Sequence, residues 1–321
     1  MARIETPPVV KRRARAMKRE RREALTFYLL VSPFIFGFLA FTLIPMVGSI
    51  LLSFTSWDFA HTPVWVGAQN YQNLMSDQDF RQGIKVSLSY AAMALPAGLI
   101  MSLVLAMLMN RNIPGVNVFR AIYYMPSLLA GFSVAALWIF AFDNQHGILN
   151  NLLANVGLPR VGWLTDPNWA LKAFVLMGLW GIGNTILIFL AGLKGIPQQL
   201  YEAAAIDGAG WIARMRHVTL PMLSPTIFFN LITGLIGVFQ YFDQSYVMTN
   251  GGPPIIQGNQ IVGSTRFYML KLYNDAFRSR EFGYAASEAV ILFVFILIIT
   301  MLVIRSSAVW VYYEGNVVKG K

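Results

Sequence analysis

The sequence has no cysteine and only three histidines in 321 residues. Without a thiol the chain forms no disulfide, no thiolate nucleophile and no zinc–sulfur site. The histidines, His61, His146 and His217, are far apart in the sequence and do not have the spacing of metal ligands. We therefore predict no metal site in this chain.

The short motifs of common catalytic sites are also absent from the sequence. It contains no G-x-x-x-x-G-K-[ST] phosphate loop, no H-E-x-x-H zinc motif and no G-x-S-x-G nucleophile motif. Two acids in or beside apolar runs, Asp243 and Glu288, have no demonstrable proximity and do not support a glycosidase-like carboxylate pair. The sequence thus predicts no catalytic residue, no cofactor and no enzyme activity.

Charged residues are scarce, at 12% of the chain against about 25% in a typical soluble domain. Hydrophobic residues make up 56%, and a transmembrane helix needs about 20 mainly apolar residues. Six segments meet this requirement: Phe27–Leu52, Val86–Met109, Ala121–Phe142, Ala173–Leu193, Pro221–Phe242 and Phe282–Ile304. The sequence predicts an all-α polytopic membrane protein with six transmembrane helices, the first of which is too long for a cleaved signal peptide.

Positive charge is concentrated before the first apolar segment. Residues 1–26 contain nine Lys or Arg and three Glu, which accounts for most of the formal net charge of +10. Because basic residues accumulate on the cytoplasmic side of membranes, we predict that this tail is cytoplasmic and lies against anionic lipid rather than nucleic acid. Six crossings, within a membrane domain at residues 27–305, then return a second tail, residues 306–321, to the cytoplasm.

One cytoplasmic connection, residues 194–221, has the composition of a short helix. Pro197 suits a helix start, and Gly208 suits a helix end because glycine reaches left-handed backbone angles at little cost. Three consecutive alanines at 203–205 leave one side of this helix almost without bulk. We predict that the flat helix fits into a groove of another protein.

Several short motifs are distributed along most of the chain. They are Ser32-Pro33, Tyr124-Met125-Pro126, Glu202-Ala203-Ala204, Asp207-Gly208-Ala209, Leu220-Pro221 and Thr249-Asn250-Gly251-Gly252-Pro253. Together they resemble the permease subunits of binding-protein-dependent ABC importers, in the sugar branch related to the maltose and glycerol-phosphate transporters. The segment that begins at Glu202 resembles the E-A-A loop of that family.

The resemblance implies a helical permease in the bacterial inner membrane, with a coupling helix that enters a cleft on a cytoplasmic ATPase. It implies, as partners, a second similar permease, two ATPase subunits that bind ATP and Mg, and an extracytoplasmic solute-binding protein. The implied coupling residues are Glu202, Ala203, Ala204, Asp207, Gly208, Leu220 and Pro221. The implied substrate is a carbohydrate, and the sequence leaves open whether it is a neutral oligosaccharide or an acidic one such as alginate.

The fifth apolar segment carries polar and small residues along one helical face. At 100° per residue this face collects Asn230, Thr233, Gly234, Gly237, Tyr241, Gln244 and Met248. The other sides suit lipid and carry Leu231, Ile232, Leu235, Ile236 and Val238. Hydroxyl-rich ligands need amide and aromatic partners, so the stripe, with Asn184 and Thr185 of the fourth segment, fits a sugar pathway. Interhelical packing explains the same residue types equally well.

Glu288 lies within the sixth apolar segment, where an ionisable group is costly. It is about two turns from the outer end, so a solvated or ion-paired structural role competes with a proton relay in a secondary sugar transporter. A membrane-bound sugar transferase is a third alternative. Basic residues of the last outer loop suit either an acidic ligand or salt bridges with Asp275 and Glu281; they are Arg266, Lys271, Arg278 and Arg280.

Overall fold

The computed structural model describes residues 8–111, 114–257 and 260–312, and nearly all of its regular structure is helical. The helices are, in chain order, α1 (Pro8–Phe38), α2 (Ile44–Leu52), α3 (Gln69–Ser76), α4 (Gln78–Met109), α5 (Val116–Tyr124), α6 (Gly131–Ala141), α7 (Ile148–Asn155), α8 (Pro167–Trp180), α9 (Gly183–Lys194), α10 (Gln198–Ile206), α11 (Trp211–Arg214), α12 (Leu220–Phe239), α13 (Asp243–Met248), α14 (Tyr268–Tyr273) and α15 (Phe282–Trp310). Two short antiparallel hairpins complete the described part: β1 (Thr55–Ser56) with β2 (Val64–Trp65), and β3 (Pro254–Gln257) with β4 (Gln260–Gly263).

Four helical stretches in the described part are long and apolar enough to cross a membrane. They are Glu20–Leu52, Gln78–Met109, Trp211–Met248 and Phe282–Trp310. Two further pairs, Val116–Leu128 with Gly131–Ala141 and Pro167–Trp180 with Gly183–Lys194, pass the same test as bent units, which brings the number of crossings to six. The predicted all-α polytopic fold is confirmed.

The third and fourth crossings, predicted as spanning helices at Ala121–Phe142 and Ala173–Leu193, are each broken into two helices. The third bends by 104° and the fourth by 49°. In the third, a 3₁₀ turn that contains Pro126 ends at Leu128, and the next two residues adopt extended backbone angles. Apolar composition alone does not reveal such a break, because the residues on both sides of it are hydrophobic.

At two glycines, the broken crossings lie very close to neighbouring elements. A Cβ atom on Gly183, where α9 begins, would lie 2.5 Å from the carbonyl oxygen of Tyr123 at the end of α5. A Cβ on Gly131, where α6 begins, would lie 3.0 Å from side-chain atoms of both Asp243 and Gln244. Glycine allows each helix to start in close contact with another element.

The first and last crossing helices continue beyond the predicted membrane domain, residues 27–305. Helix α1 runs without a break through residue 26, and α15 continues to Trp310. Val311 is buried, and the backbone N–H of Tyr312 donates to Ser224 Oγ at 2.8 Å. The chain after the sixth crossing therefore packs back onto α12 as far as residue 312. Residues 1–7 and 313–321 lie outside the described part.

The core consists of three hydrophobic clusters stacked along the helices. One, around Ile186, Phe189 and Leu223, packs α9 between α4 and α12 beneath the 194–221 connection. The cluster around Tyr90, Phe174 and Phe267 is rich in aromatic side chains and reaches the long connections. Those connections hold the two hairpins and the short helices α3, α7 and α14.

Candidate functional site

Helix α10 ends in a hydrogen-bonded glycine cap. Gly208 has φ +75°, its N–H donates to the carbonyl of Ala205 at 3.1 Å, and the N–H of Ala209 donates to the carbonyl of Ala204 at 2.9 Å. This pair of bonds is the Schellman motif, which satisfies carbonyl groups left free at a helix end. The left-handed glycine predicted from the sequence is confirmed at Gly208.

Helix α10 has little contact with the rest of the chain. It has no buried residue, and Glu202, Ala203, Asp207 and Gly208 are all exposed. Ile206, the last residue of α10, is 87% exposed, and Ile212 of α11 is 74% exposed. Contiguous exposed apolar side chains on a protein surface are typical of a partner contact.

One side-chain contact ties α10 to the next helix. The hydroxyl of Tyr201 lies 3.1 Å from Thr219 Oγ1, and Thr219 is buried. Glu202 accepts a hydrogen bond from Gln198 Nε2 at 2.9 Å, one turn earlier on the same helix. The sequence analysis missed Tyr201, because a tyrosine in a polar loop carries no signal of its partner 18 residues later.

Leu220 and Pro221 lie at the start of α12, where the predicted 194–221 connection ends, and the chain is helical on both sides of them. The helix that begins at Trp211 continues through a π-helical turn, Met215–Thr219, directly into α12. Pro221 lacks an N–H group, and the wider π turn immediately before it is a usual place for a helix to accommodate a lost hydrogen bond. Residues 211–239 therefore form one continuous helical rod.

The predicted stripe on the fifth crossing divides into a packed part and an open part. Asn230 is 3% exposed and donates to the carbonyl of Thr226 at 3.1 Å. The ring of Tyr241 lies 4.8 Å from that of Tyr90 and 4.9 Å from that of Phe267, so it belongs to the aromatic cluster. These contacts within the chain support the packing alternative for Asn230 and Tyr241.

The remaining stripe residues differ in their surroundings. Gly234 faces Leu95 closely, Gln244 packs against Gly131, and Met248 is buried. Thr233 is exposed with its hydroxyl bonded to its own helix, Gly237 is exposed and a Cβ atom there would meet no atom within 4 Å, and Asn184 is exposed on α9. The prediction that Leu235 faces lipid is wrong, because this residue is 9% exposed and lies in a hydrophobic cluster.

Glu288 belongs to an ion cluster centred on Lys271: Asp77, Lys271, Asp275 and Glu288. We call it the outer ion cluster, after the side of the membrane on which the sequence predicts it to lie. Glu288 is fully buried and lies 2.7 Å from Lys271 Nζ. Lys271 also contacts Asp275 and lies 2.8 Å from Asp77. The ion-paired role considered for Glu288 is confirmed, and the solvated role is wrong because the side chain has no access to water.

The outer ion cluster joins three separate segments. Asp77 caps α4 by accepting hydrogen bonds from the N–H groups of Asp79 and Phe80, and it accepts another from the Tyr284 hydroxyl at 2.8 Å. Partial burial alone would raise the pKa of Asp77, but the hydrogen bonds from Lys271 and Tyr284 outweigh it and hold the pKa below its usual value. Asp77 therefore stays charged at neutral pH.

Most of the basic residues of the last predicted outer loop make contacts within the chain. Arg266 pairs with Asp79 at 2.8 Å, Lys271 belongs to the outer ion cluster, and Arg278 lies over the ring of Tyr246 at 5.5 Å. The predicted salt bridge of this loop with Asp275 is confirmed. These contacts weaken the alternative in which the loop binds an acidic ligand.

The chain is similar to transport proteins over almost its full length. Residues 94–313 match the family described as binding-protein-dependent transport system inner membrane component. The chain is 38% identical over 309 residues to the probable ABC transporter permease protein YesP of Bacillus subtilis. This alignment covers 94% of this chain and 98% of that protein. It is 30% identical over 290 residues to the trehalose/maltose transport system permease protein MalF of Thermococcus litoralis, which covers 90% of this chain and 95% of that protein.

A solved structure has the same fold. It is a chain of a bacterial ABC transporter involved in the import of the acidic polysaccharide alginate, with a TM-score of 0.75 and 25% identity, covering 92% of this chain and 98% of that chain. Three observations point to the same family: the apolar crossings, the exposed capped helix between the fourth and fifth of them, and the match over residues 94–313. The chain belongs to the family of inner membrane components of binding-protein-dependent transport systems.

Proposed function

We propose that this chain is one of two permease subunits of an ATP-driven carbohydrate importer in the bacterial inner membrane. The observation that carries the proposal is helix α10, which is exposed along its length and capped by a left-handed glycine. In this proposal α10 is the coupling helix, and it enters a cleft on one of two separate ATPase subunits that bind ATP and Mg. A solute-binding protein delivers substrate to the opposite face.

The contact between Tyr201 and Thr219 supports a route for the coupling. Closure of the ATPase pair moves α10, and the Tyr201–Thr219 hydrogen bond passes the movement to the rod that runs from residue 211 to residue 239. Thr233 lies 14 residues beyond Thr219, or about 21 Å along a helix. Rigid movement of this rod against the rest of the bundle opens the pathway to one side and closes it to the other.

Three exposed positions form the proposed pathway surface of this subunit: Asn184, Thr233 and Gly237. They supply an amide, a hydroxyl and a bare backbone position, which suit a ligand rich in hydroxyl groups. The buried Asn230 and the packed Tyr241 support the helices behind this surface and do not reach it. The proposed substrate class is carbohydrate because one relative is a trehalose/maltose permease and a chain of the same fold serves alginate import.

The proposed topology has both ends of the chain and α10 in the cytoplasm. The nine basic residues before the first crossing support this orientation. Helices α3, α7 and α14 and both hairpins then lie on the outer face, together with the outer ion cluster.

Transport by the complete importer in proteoliposomes tests the function. The probes are radiolabelled maltotriose and an alginate trisaccharide, each offered with the binding protein outside and ATP inside the vesicles. We expect uptake of one of these probes to require ATP and the binding protein and to persist with a protonophore. Uptake that proceeds without ATP and stops with the protonophore would contradict the proposal and would favour a proton-driven carrier.

A further inference from the structure

A cavity of about 400 Å³ lies where the end of α4 meets the segment that follows α10. One wall comes from α4 and the residues just after it, through Val104, Leu108 and Arg111. The facing wall comes from Trp211 and Arg214 of α11. This cavity is separate from the pathway surface and from the outer ion cluster.

The α4 wall changes from apolar to cationic along its length. Val104, Leu108 and Arg111 are spaced by four and three residues, so they share one side of the chain over about 10 Å. Val104 is 41% and Leu108 is 54% exposed, although both lie in a crossing helix. Arg111 follows at the end of that helix, where the chain leaves the apolar region. A ligand that fits this wall has an apolar part at membrane depth and an anionic part at the membrane boundary.

The facing wall supplies a second cation and an aromatic ring. Arg214 and Trp211 are three residues apart on α11, and Trp211 is 63% exposed. Within residues 8–111, 114–257 and 260–312, neither Arg111 nor Arg214 makes a side-chain ion pair or hydrogen bond. Two guanidinium groups that line one cavity suit a phosphate, which accepts hydrogen bonds from several directions. Tryptophan is enriched at the boundary between the hydrocarbon and the headgroups of a bilayer.

We propose that this cavity binds an anionic phospholipid, with the phosphate between Arg111 and Arg214 and an acyl chain along Val104 and Leu108. A soluble phosphate or sugar phosphate would match the two cations but would leave the apolar wall without a partner. Basic pockets at the cytoplasmic ends of membrane helices are typical binding sites for anionic headgroups. The proposal concerns lipid binding and does not rest on the transport of a carbohydrate.

Binding at this place has a mechanical consequence, because the cavity also includes Tyr201 of α10 and Thr219 of the π turn. A lipid that bridges α4 and α11 holds the base of the coupling helix against the membrane bundle. We expect anionic lipid to raise the thermal stability of the assembled importer, since a ligand that binds only the folded state stabilises it.

Lipid retention by the purified complete importer tests the proposal. Complexes are placed in nanodiscs of phosphatidylcholine with about 20% phosphatidylglycerol, which supplies the anionic headgroup, and bound lipid is measured by native mass spectrometry. The test variant is Arg111→Gln/Arg214→Gln. The control variant, Arg216→Gln/Arg305→Gln, removes two exposed positive charges outside the cavity.

We expect wild type and the control to retain phosphatidylglycerol in preference to phosphatidylcholine. The test variant should bind phosphatidylglycerol at least about tenfold more weakly, because each charge-assisted hydrogen bond contributes about a factor of ten. The variant Arg111→Lys/Arg214→Lys, which keeps both charges, should retain part of the preference and shows that the cavity still forms. Equal retention by the test variant and wild type would overturn the proposal.

A second arm separates lipid from soluble phosphate. Inorganic phosphate and dihexanoyl-phosphatidylglycerol are compared as competitors for the bound lipid. We expect the short-chain lipid to displace it at concentrations where inorganic phosphate does not. Equal displacement by both would overturn the assignment to lipid and would show a site for a soluble anion.

Discussion

At Gly208 the backbone conformation restricts which side chains are tolerated. A Cβ atom there would have no neighbour within 4 Å, yet the residue has φ +75°. The restriction is therefore conformational and not steric. The left-handed region costs an ordinary residue about 1–2 kcal/mol, and a β-branched residue is the least suited to it.

Replacing Gly208 by Val should consequently unwind the cap of α10 while the crossings remain inserted. We expect the purified complex to retain less ATPase, or to hydrolyse ATP without transport. Gly210→Val is the matched control, because Gly210 has φ −69° and also has no neighbour within 4 Å. Co-purification of the ATPase and substrate-stimulated hydrolysis measure the effect. Equal coupling in both variants would show that the glycine cap is not needed.

Lys271 is the residue on which the outer ion cluster depends. It is the cation shared by Asp77, Asp275 and Glu288, and removing it leaves the buried carboxylate of Glu288 without its cation. Loss of one partner from a buried ion pair typically costs about 3–5 kcal/mol. We expect Lys271→Met to lower the midpoint of thermal unfolding of the complex clearly, whereas Lys85→Met, on an exposed position of α4, should not.

A second substitution separates charge from packing at this cluster. Glu288→Gln removes the buried negative charge that Lys271 compensates, so it should recover part of the stability lost in Lys271→Met when the two are combined. A double-mutant cycle of unfolding midpoints gives this coupling. If the effects of the two substitutions simply add, the Lys271–Glu288 contact is not a net electrostatic interaction.

At the scale of elements, the rod formed by α11, the π turn and α12 alternates packed and open positions along its length. Asn230 and Leu235 are buried. Thr233 and Gly237 are exposed, and they share one helical face with Asn230. We expect the rod to move as a unit, because it is helical without a break from residue 211 to residue 239.

Leucine substitutions on this rod distinguish the packed positions from the open ones. We expect Thr233→Leu and Gly237→Leu to reduce uptake several-fold or to change the accepted sugar, while the complex and its basal ATPase persist. Asn230→Leu should instead reduce the yield of assembled complex, because the site is 3% exposed. The conservative change Ile236→Leu serves as the control. Normal uptake by both Thr233→Leu and Gly237→Leu would remove them from the pathway.

At the scale of the whole molecule, the charge distribution and the crossings together predict the orientation. Ile206, at the end of α10, is 87% exposed and Ile256, in β3, is 83% exposed. The native chain has no cysteine, so a single introduced cysteine reports one position. These two residues lie at opposite ends of the fifth crossing and are predicted to face opposite sides of the membrane.

Labelling with a membrane-impermeant maleimide therefore tests the topology in intact spheroplasts. We expect Ile256→Cys to react at once and Ile206→Cys to react only after the membrane is permeabilised, because the basic tail holds the α10 side in the cytoplasm. The cysteine-free wild type is the control for background. The reverse order of reactivity would invert the topology and remove α10 from the ATPase side.

Composition and motif spacing determined the class of this protein. Apolar runs of about 20 residues predict crossings because the bilayer thickness sets a length, and this property is local to each run. The cap at Gly208 was also predictable, since the left-handed conformation is a property of the glycine itself. The motifs at 202–210 indicated the family for the same reason, because each lies within one continuous stretch of chain.

The tertiary structure alone decided how distant residues are paired. At the breaks in the third and fourth crossings, Gly131 lies against α13 and Gly183 lies against Tyr123. The environment of Glu288 depends on Lys271, and the anchor of α10 depends on Tyr201 reaching Thr219. A hydrophobic or charged residue has the same local pattern whether it faces lipid, a pathway or another helix. Its partner is set by packing between segments that are far apart in sequence, so only the folded chain reveals it.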